Sequence, residues 1–189
     1  KLENFLQGKP VAEQEVGRLL IMETIAFSET SMCRRKYLLH YFGEEFDALN
    51  CENMCDNCKN PKEKVEGKKY IKAILESIIE CKERFKPKEI AKIMIGESNS
   101  LIKQHMSQIA SIFGNGKEKP IGFWHSIIRQ IYVKKLITKE IESYGVLKIT
   151  EKGKKFLREP YSIKITEDHT YETDNSKNTS TQKGQAADQ

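Results

Sequence analysis

The chain has 189 residues, 31% of them charged and 38% apolar, with a formal net charge of +5. Its mean hydropathy of -0.60 is polar for a globular protein but leaves enough apolar residues for a core, and its length suits one large or two small domains. No apolar run approaches the roughly 20 residues that a membrane-spanning helix needs, so no membrane partner is expected.

The chain opens on Lys1-Leu2-Glu3-Asn4, with no initiator Met and no apolar signal core, and reads as a piece of a longer protein. From Val11 to Ser28 the apolar residues Val16, Leu19, Leu20, Met22, Ile25 and Ala26 recur at three and four residues behind Pro10, which predicts an amphipathic helix. A second helix is expected from Ser31 to Phe42, with Tyr37, Leu38, Tyr41 and Phe42 as its stripe and Gly43 as its stop. Two helices in succession suggest an antiparallel hairpin. Glu44 to Asn60 then loses all apolar periodicity and is too polar to pack without a staple.

Residues 61–68, which include Pro61 and Gly67, read as a linker between a first unit (1–60) and a second (69–165). In the second unit Ile71, Ile74, Leu75, Ile78, Ile79 and Phe85 mark a core helix, and Pro87 opens another with Ile90, Ala91 and Ile93 inward. Further helices are expected over 100–113 and 123–135, separated by Gly114-Asn115-Gly116. Leu136–Ile141 and Val146–Thr150 flank a polar, Gly-bearing turn and predict a β-hairpin, and Glu151–Leu157 a short closing helix. Helices followed by a hairpin form the order of a winged helix, a helix-turn-helix variant whose hairpin is the wing. The expected fold class is therefore mainly α.

The tail 166–189 has no Val, Ile, Leu, Met, Phe or Trp and is expected to be disordered. It holds two Lys and five acids, so residues 1–165 carry +8. That balance favours an anionic partner, nucleic acid first.

Five cysteines occur, and Cys51, Cys55 and Cys58 share the polar loop while Cys33 lies on the helix before it. The loop can fold back to bring four sulfurs to one ion, and thiolate is the soft donor that a tetrahedral zinc site prefers. Two rival readings use the same sulfurs. A disulfide framework needs an oxidising compartment, and no secretory signal is visible. An iron-sulfur cluster also takes four cysteines, although the spacing matches neither ferredoxin pattern. Zinc held by four protein ligands has no open position for water, which points to structure rather than metal catalysis. Cys81 fits a buried helix face, and Trp124 a core anchor ahead of the wing.

Cys33-Arg34-Arg35-Lys36-Tyr37-Leu38-Leu39, Tyr41-Phe42-Gly43-Glu44, Cys51, and Cys55-Asp56-Asn57-Cys58 closely resemble the zinc-binding subdomain of RecQ family DNA helicases. Phe123-Trp124-His125-Ser126-Ile127-Ile128-Arg129-Gln130 and the hairpin resemble that family's winged helix, so the likeness spans about residues 10 to 160. The resemblance implies the C-terminal region of an ATP-dependent 3'-to-5' DNA helicase that works in repair and recombination. One structural zinc would sit on Cys33, Cys51, Cys55 and Cys58. The partners implied are DNA (duplex, fork or single-strand junction) and the parent's motor domains, in a nucleoid or a nucleus. ATP and magnesium would belong to those motor domains, since this chain has no phosphate loop; Gly114-Asn115-Gly116-Lys117 has the wrong spacing.

A winged helix holds duplex largely through its phosphates, which calls for Lys and Arg. The candidates are Lys86, Lys88, Lys92, Lys103, Arg129, Lys134, Lys135 and Lys139, with Tyr144 beside Gly145 at the wing tip. Any single Lys among them also reads as a solvated surface charge. The resemblance implies a strand-separating pin at Tyr144, whereas the short wing suits a milder role in positioning duplex. Arg34 and Arg35 would reach phosphate or pair with acids such as Glu44 and Asp56. A different class of protein, a zinc-stabilised winged-helix transcriptional regulator, fits the same elements and would read one duplex sequence.

Overall fold

The computed structural model describes residues 2–140 and 142–171. Most of the tail expected to be disordered, residues 172–189, lies outside the described residues, as does Ile141 at the end of the first wing run.

A 3-10 turn (Leu2–Leu6) leads into α1 (Val11–Glu29), whose first turn carries Glu13, where a carboxylate complements the helix dipole. Cys33 occupies the cap position of α2 (Arg34–Tyr41), which ends at Phe42 before Gly43 turns away at φ 84°. The two helices meet through Phe27 and Tyr37, with ring centroids 6.3 Å apart. Both segments are helical, as the periodicity predicted, but most of their apolar stripe is not covered. Val16, Leu20, Met22 and Ile25 on α1 and Leu38 and Tyr41 on α2 face solvent, and among the described residues of the two helices only Ala26 and Tyr37 are buried. Nothing in the described chain covers that face.

The cysteine loop contains a 3-10 turn (Ala48–Cys51) and a one-turn helix, α3 (Asp56–Lys59). The Asp47 side chain starts the first by accepting the Leu49 N–H at 3.1 Å. The segment read as a linker holds β1 (Val65–Glu66), which pairs antiparallel with β4 (Lys164–Ile165), Val65 opposite Ile165. Strands of two residues carry too little alternation to be seen in sequence.

Between them lies the winged domain: α4 (Lys68–Glu80), α5 (Pro87–Ile95), α6 (Ser100–Gln104), α7 (Met106–Ile109), α8 (Ile121–Val133), β2 (Ile137–Glu140), β3 (Val146–Ile149) and α9 (Glu151–Arg158). Pro87 stands in the first turn of α5, and Gly96 closes that helix at φ 79°, close against Gly114. The single helix expected over 100–113 breaks at His105 into α6 and α7; Asn99 starts the first by accepting the Ile102 N–H at 2.8 Å. In the wing Ile137 pairs with Ile149 and Glu140 with Val146. Thr150 caps α9 by accepting from Gly153 N–H at 3.1 Å. The core gathers around Trp124, Phe85 and Phe156, with Ile71, Ile74, Ile93 and Ile127 among the apolar residues that enclose them. Trp124 donates its indole N–H to the Gly116 carbonyl at 2.9 Å. Cys81 is buried in this core, which pushes its thiol up to about 12.

Thr166–Tyr171, expected to be disordered, instead straps the two units together. Thr166 N–H donates to Gln130 Oε1 at 3.1 Å, and Ser126 Oγ donates to the Thr166 carbonyl at 2.8 Å. Asp168 pairs with Arg129, which also meets Glu29 at 3.0 Å, and His169 N–H donates to the Glu29 carbonyl at 2.7 Å. The segment is ordered by polar bonds rather than apolar burial, so a count of apolar residues misjudged it.

Candidate metal centre and nucleic-acid interface

Three of the four sulfurs are delivered by the start or end of a short element, and the fourth by a one-turn helix itself. Cys33 precedes α2, Cys51 ends the 3-10 turn, Cys55 precedes α3 and Cys58 lies within α3. Between Cys51 and Cys55 the chain reverses through Glu52 and Asn53, both at positive φ (49° and 57°). The Sγ atoms of Cys33, Cys51, Cys55 and Cys58 all lie within 4.8 Å of one another. A tetrahedral zinc with bonds of about 2.3 Å separates its sulfurs by about 3.8 Å, so a small contraction would close the set on one ion. Sulfurs this close leave no room for the several irons of a cluster, and they converge as a foursome rather than as two pairs.

The electrostatics suit a cation. Burial raises the Cys33 and Cys58 thiols, and at Cys58 the neighbouring thiols raise it further. At Cys55 burial also pushes upward, but the backbone N–H groups of Arg34 and Cys58 and the thiols of Cys58 and Cys51 donate to the sulfur and together bring it to about 7. A divalent ion favours the thiolate at all four positions.

Residues between the cysteines lock the loop. Arg34 reaches Asp56 with Nε at 3.0 Å and Nη2 at 2.9 Å, and donates to the carbonyls of Phe27 and Ser28. The structural alternative for Arg34 is thus the one observed. It holds the Asp56 carboxyl at about 2, well below the usual range. Asn57 is buried and donates to the carbonyls of Thr30 and Met32, both at 2.7 Å, while its Oδ1 meets His169 Nε2 at 2.7 Å. The C-R-R and D-N-C runs hint at the role of Arg34 and Asp56; the part of His169, more than a hundred residues downstream, has no local signal. Arg35 meets no acid among the described residues and points its guanidinium at the Met54 sulfur, 3.6 Å away.

The nine residues put forward for DNA divide sharply. Arg129 is bound internally to Glu29 and Asp168, its side chain 11% exposed, and is not free for phosphate. Lys86 pairs with Glu15 at 3.1 Å, Lys139 with Glu23, Lys135 with Glu45, and Lys92 with Glu97 at 3.8 Å. Sequence spacing could not show this, because Glu15, Glu23 and Glu29 lie on α1, which the fold brings against the winged domain. Lys88 and Lys103 are exposed and have no ion pair among the described residues. Lys134 lines a cleft beside the zinc loop, which Lys88 and Lys103 do not. Tyr144 sits at the wing tip at φ 51°, over a third exposed, with Lys86 Nζ 5.7 Å from its ring centroid.

A family model described as the RQC domain matches residues 61–174, and one described as RecQ zinc-binding matches residues 1–59. The chain is 31% identical over 166 residues to the ATP-dependent DNA helicase RecQ of Pasteurella multocida, a match covering 86% of this chain and 26% of that protein. For the ATP-dependent DNA helicase RecQ of Bacillus subtilis the identity is 24% over 165 residues, covering 86% and 27%. For the ATP-dependent DNA helicase Q-like 4B of Arabidopsis thaliana it is 28% over 143 residues, covering 70% and 12%. The chain spans about a quarter of the length of these bacterial relatives.

Proposed function

Because the chain belongs to the RecQ family of DNA helicases, as a C-terminal region with its zinc-binding and RQC domains, we propose that it binds duplex DNA at forks for an ATP-driven 3'-to-5' motor carried elsewhere in the parent. Residues 1–60 act as a zinc-stabilised platform, with one structural ion on Cys33, Cys51, Cys55 and Cys58. When bound, that ion supplies cross-linking of four chain positions and no chemistry on substrate. Residues 69–165 hold the duplex. ATP and magnesium serve the motor, and the place of action is the nucleoid or the nucleus.

The observation that carries this reading is the burial of α8. A winged helix that reads sequence must present polar side chains to base edges in a major groove. On α8, directly ahead of the wing, Phe123, Trp124, Ser126, Ile127, Ile128, Gln130, Ile131 and Val133 are buried, and Gly122 alone is exposed. On the remaining face Ile121, His125, Arg129 and Tyr132 are half-buried and Arg129 is taken up by Glu29 and Asp168, so little of the helix is left for bases, which speaks against the transcriptional-regulator reading. Contacts then fall to phosphates, through Lys88 and Lys103, and to the wing, where Tyr144 stacks on or positions the end of a duplex.

The test is the affinity for a random-sequence duplex with a 3' single-stranded tail against the blunt duplex, at fixed salt. Preference for the tailed DNA, indifferent to sequence, is the expected result. Tyr144→Ala is expected to weaken that preference by about 1 kcal/mol or more, in line with base stacking on an aromatic. Lys88→Ala with Lys103→Ala should make the salt dependence of duplex binding shallower by about two phosphate contacts. A single preferred duplex sequence emerging from selection would overturn the reading.

A further inference from the structure

A cleft of about 840 Å³ opens between the zinc loop and the winged domain, lined by Cys33 and Cys58 among others and by neither Lys88 nor Lys103. Its lining holds Lys36, Lys62, Lys64, Lys134, Lys152 and Lys164 against a single acid, Glu52. Lys62 donates to the Asp168 carbonyl at 2.7 Å, and Lys164 stands 3.6 Å from Glu66. The other four have no ion pair among the described residues. In the same molecule Lys86, Lys135, Lys139 and Arg129 each meet a carboxylate. The cleft therefore gathers like charges from both units without the counter-charges supplied elsewhere. Burial, and then the charges of Lys36, Lys152 and Lys64, holds the Lys134 ammonium below its usual range. Lys152, also in the lining, donates to the Lys134 carbonyl at 2.9 Å.

The cleft also offers surfaces for bases. Tyr161 and Leu49 line it and are exposed, and Tyr161 is held from behind by Phe156, ring centroids 5.1 Å apart in an edge-on arrangement. Phosphate-tracking cations beside an open aromatic face suit unstacked bases, which a duplex does not present.

We propose that this cleft is a second nucleic-acid site, which takes a single strand with its phosphates on Lys36, Lys64, Lys134 and Lys152 and a base on Tyr161. The site extends the reading that the chain binds DNA, but it depends on neither the wing nor Lys88 and Lys103. It accounts for a cluster of cations that the zinc centre does not use.

The test uses the whole chain loaded with zinc and two labelled probes, an oligothymidine of about 15 nucleotides and a blunt duplex of similar length. The triple variant Lys36→Ala, Lys64→Ala, Lys152→Ala is expected to lose about tenfold or more in affinity for oligothymidine. Its salt slope should become shallower by about 2, while duplex binding stays within about twofold. Tyr161→Leu, which keeps an apolar contact for Phe156, should weaken oligothymidine by about fivefold or more and spare duplex. Lys88→Ala with Lys103→Ala is the converse control, expected to weaken duplex and spare oligothymidine. Unchanged oligothymidine affinity in the triple variant, or equal losses on both probes, would overturn the cleft site. Failure of the converse control alone would instead strike the duplex face and leave the cleft standing.

Discussion

The winged domain encloses Trp124, Phe85 and Phe156 in a continuous apolar shell, whereas the buried apolar residues of the α1–α2 contact are Ala26 and Tyr37, joined by Val133 from the winged domain itself. One region can fold on its own burial; the other has too little apolar contact to repay the ordering of its chain. The zinc loop makes up the difference with four sulfurs, the Arg34–Asp56 pair and the buried Asn57 amide. The strap 166–171 and the acids of α1 then tie the poorer region to the richer one. The comparison explains where the two units are vulnerable: one to loss of a ligand, the other to loss of volume.

The largest effect should come from the metal centre. Cys55→Ser, or removal of zinc by a chelator, is expected to unfold residues 1–60 while the winged domain keeps its protection from hydrogen exchange, since a structural zinc supplies on the order of 10 kcal/mol to folding. A zinc-free Cys55→Ser protein with native thermal stability would break the comparison.

Trp124→Ala should act on the other side of it, costing the winged domain about 3–5 kcal/mol through the cavity it opens, with the unpaired Gly116 carbonyl as a further loss. Zinc content should stay at one ion per chain, measured by metal analysis on the folded fraction. Loss of zinc together with the winged domain would mean that the two units fold as one.

The smallest effect is one of pH. Burial, and then the charge of Arg129, holds His125 down to about 4. The unfolded chain protonates this imidazole near 6.5 while the folded chain keeps it neutral, so the unfolded state binds the extra proton. His125 therefore has no effect on stability above pH 6.5 and subtracts from it progressively as pH falls from 6.5 toward 4. Thermal melts of His125→Gln against the parent chain should converge in slope above that window and diverge within it, the variant losing less stability on acidification.

Much of the fold was legible because the signals are local. Ile71, Ile74, Leu75 and Ile78 repeat at helical spacing and are buried on α4, and Pro87 opens α5. The turn at Tyr144-Gly145 joins two strands that lie within the β-prone runs flanking it. The same periodicity gave α1 as a helix, yet Val16, Leu20 and Met22 stay exposed, because a stripe states that a helix can be covered and not that this chain covers it. Apolar content misled on the strap, which is ordered by Arg129, Gln130 and Asn57.

For the candidate sites, the sequence by itself put four cysteines on and beside one polar loop, able to reach one ion, while disulfide and iron-sulfur readings used the same sulfurs; their convergence within 4.8 Å belongs to the fold. The charge of the chain was equally visible as a sum. Which of its cations stand free was decided only in three dimensions. Glu15, Glu23 and Glu29 neutralise Lys86, Lys139 and Arg129 across separations of about seventy to more than a hundred residues, and Lys36, Lys64 and Lys152 come together from both units. Electrostatic pairing depends on distance in space, and a linear chain carries charge without position until its two units are docked.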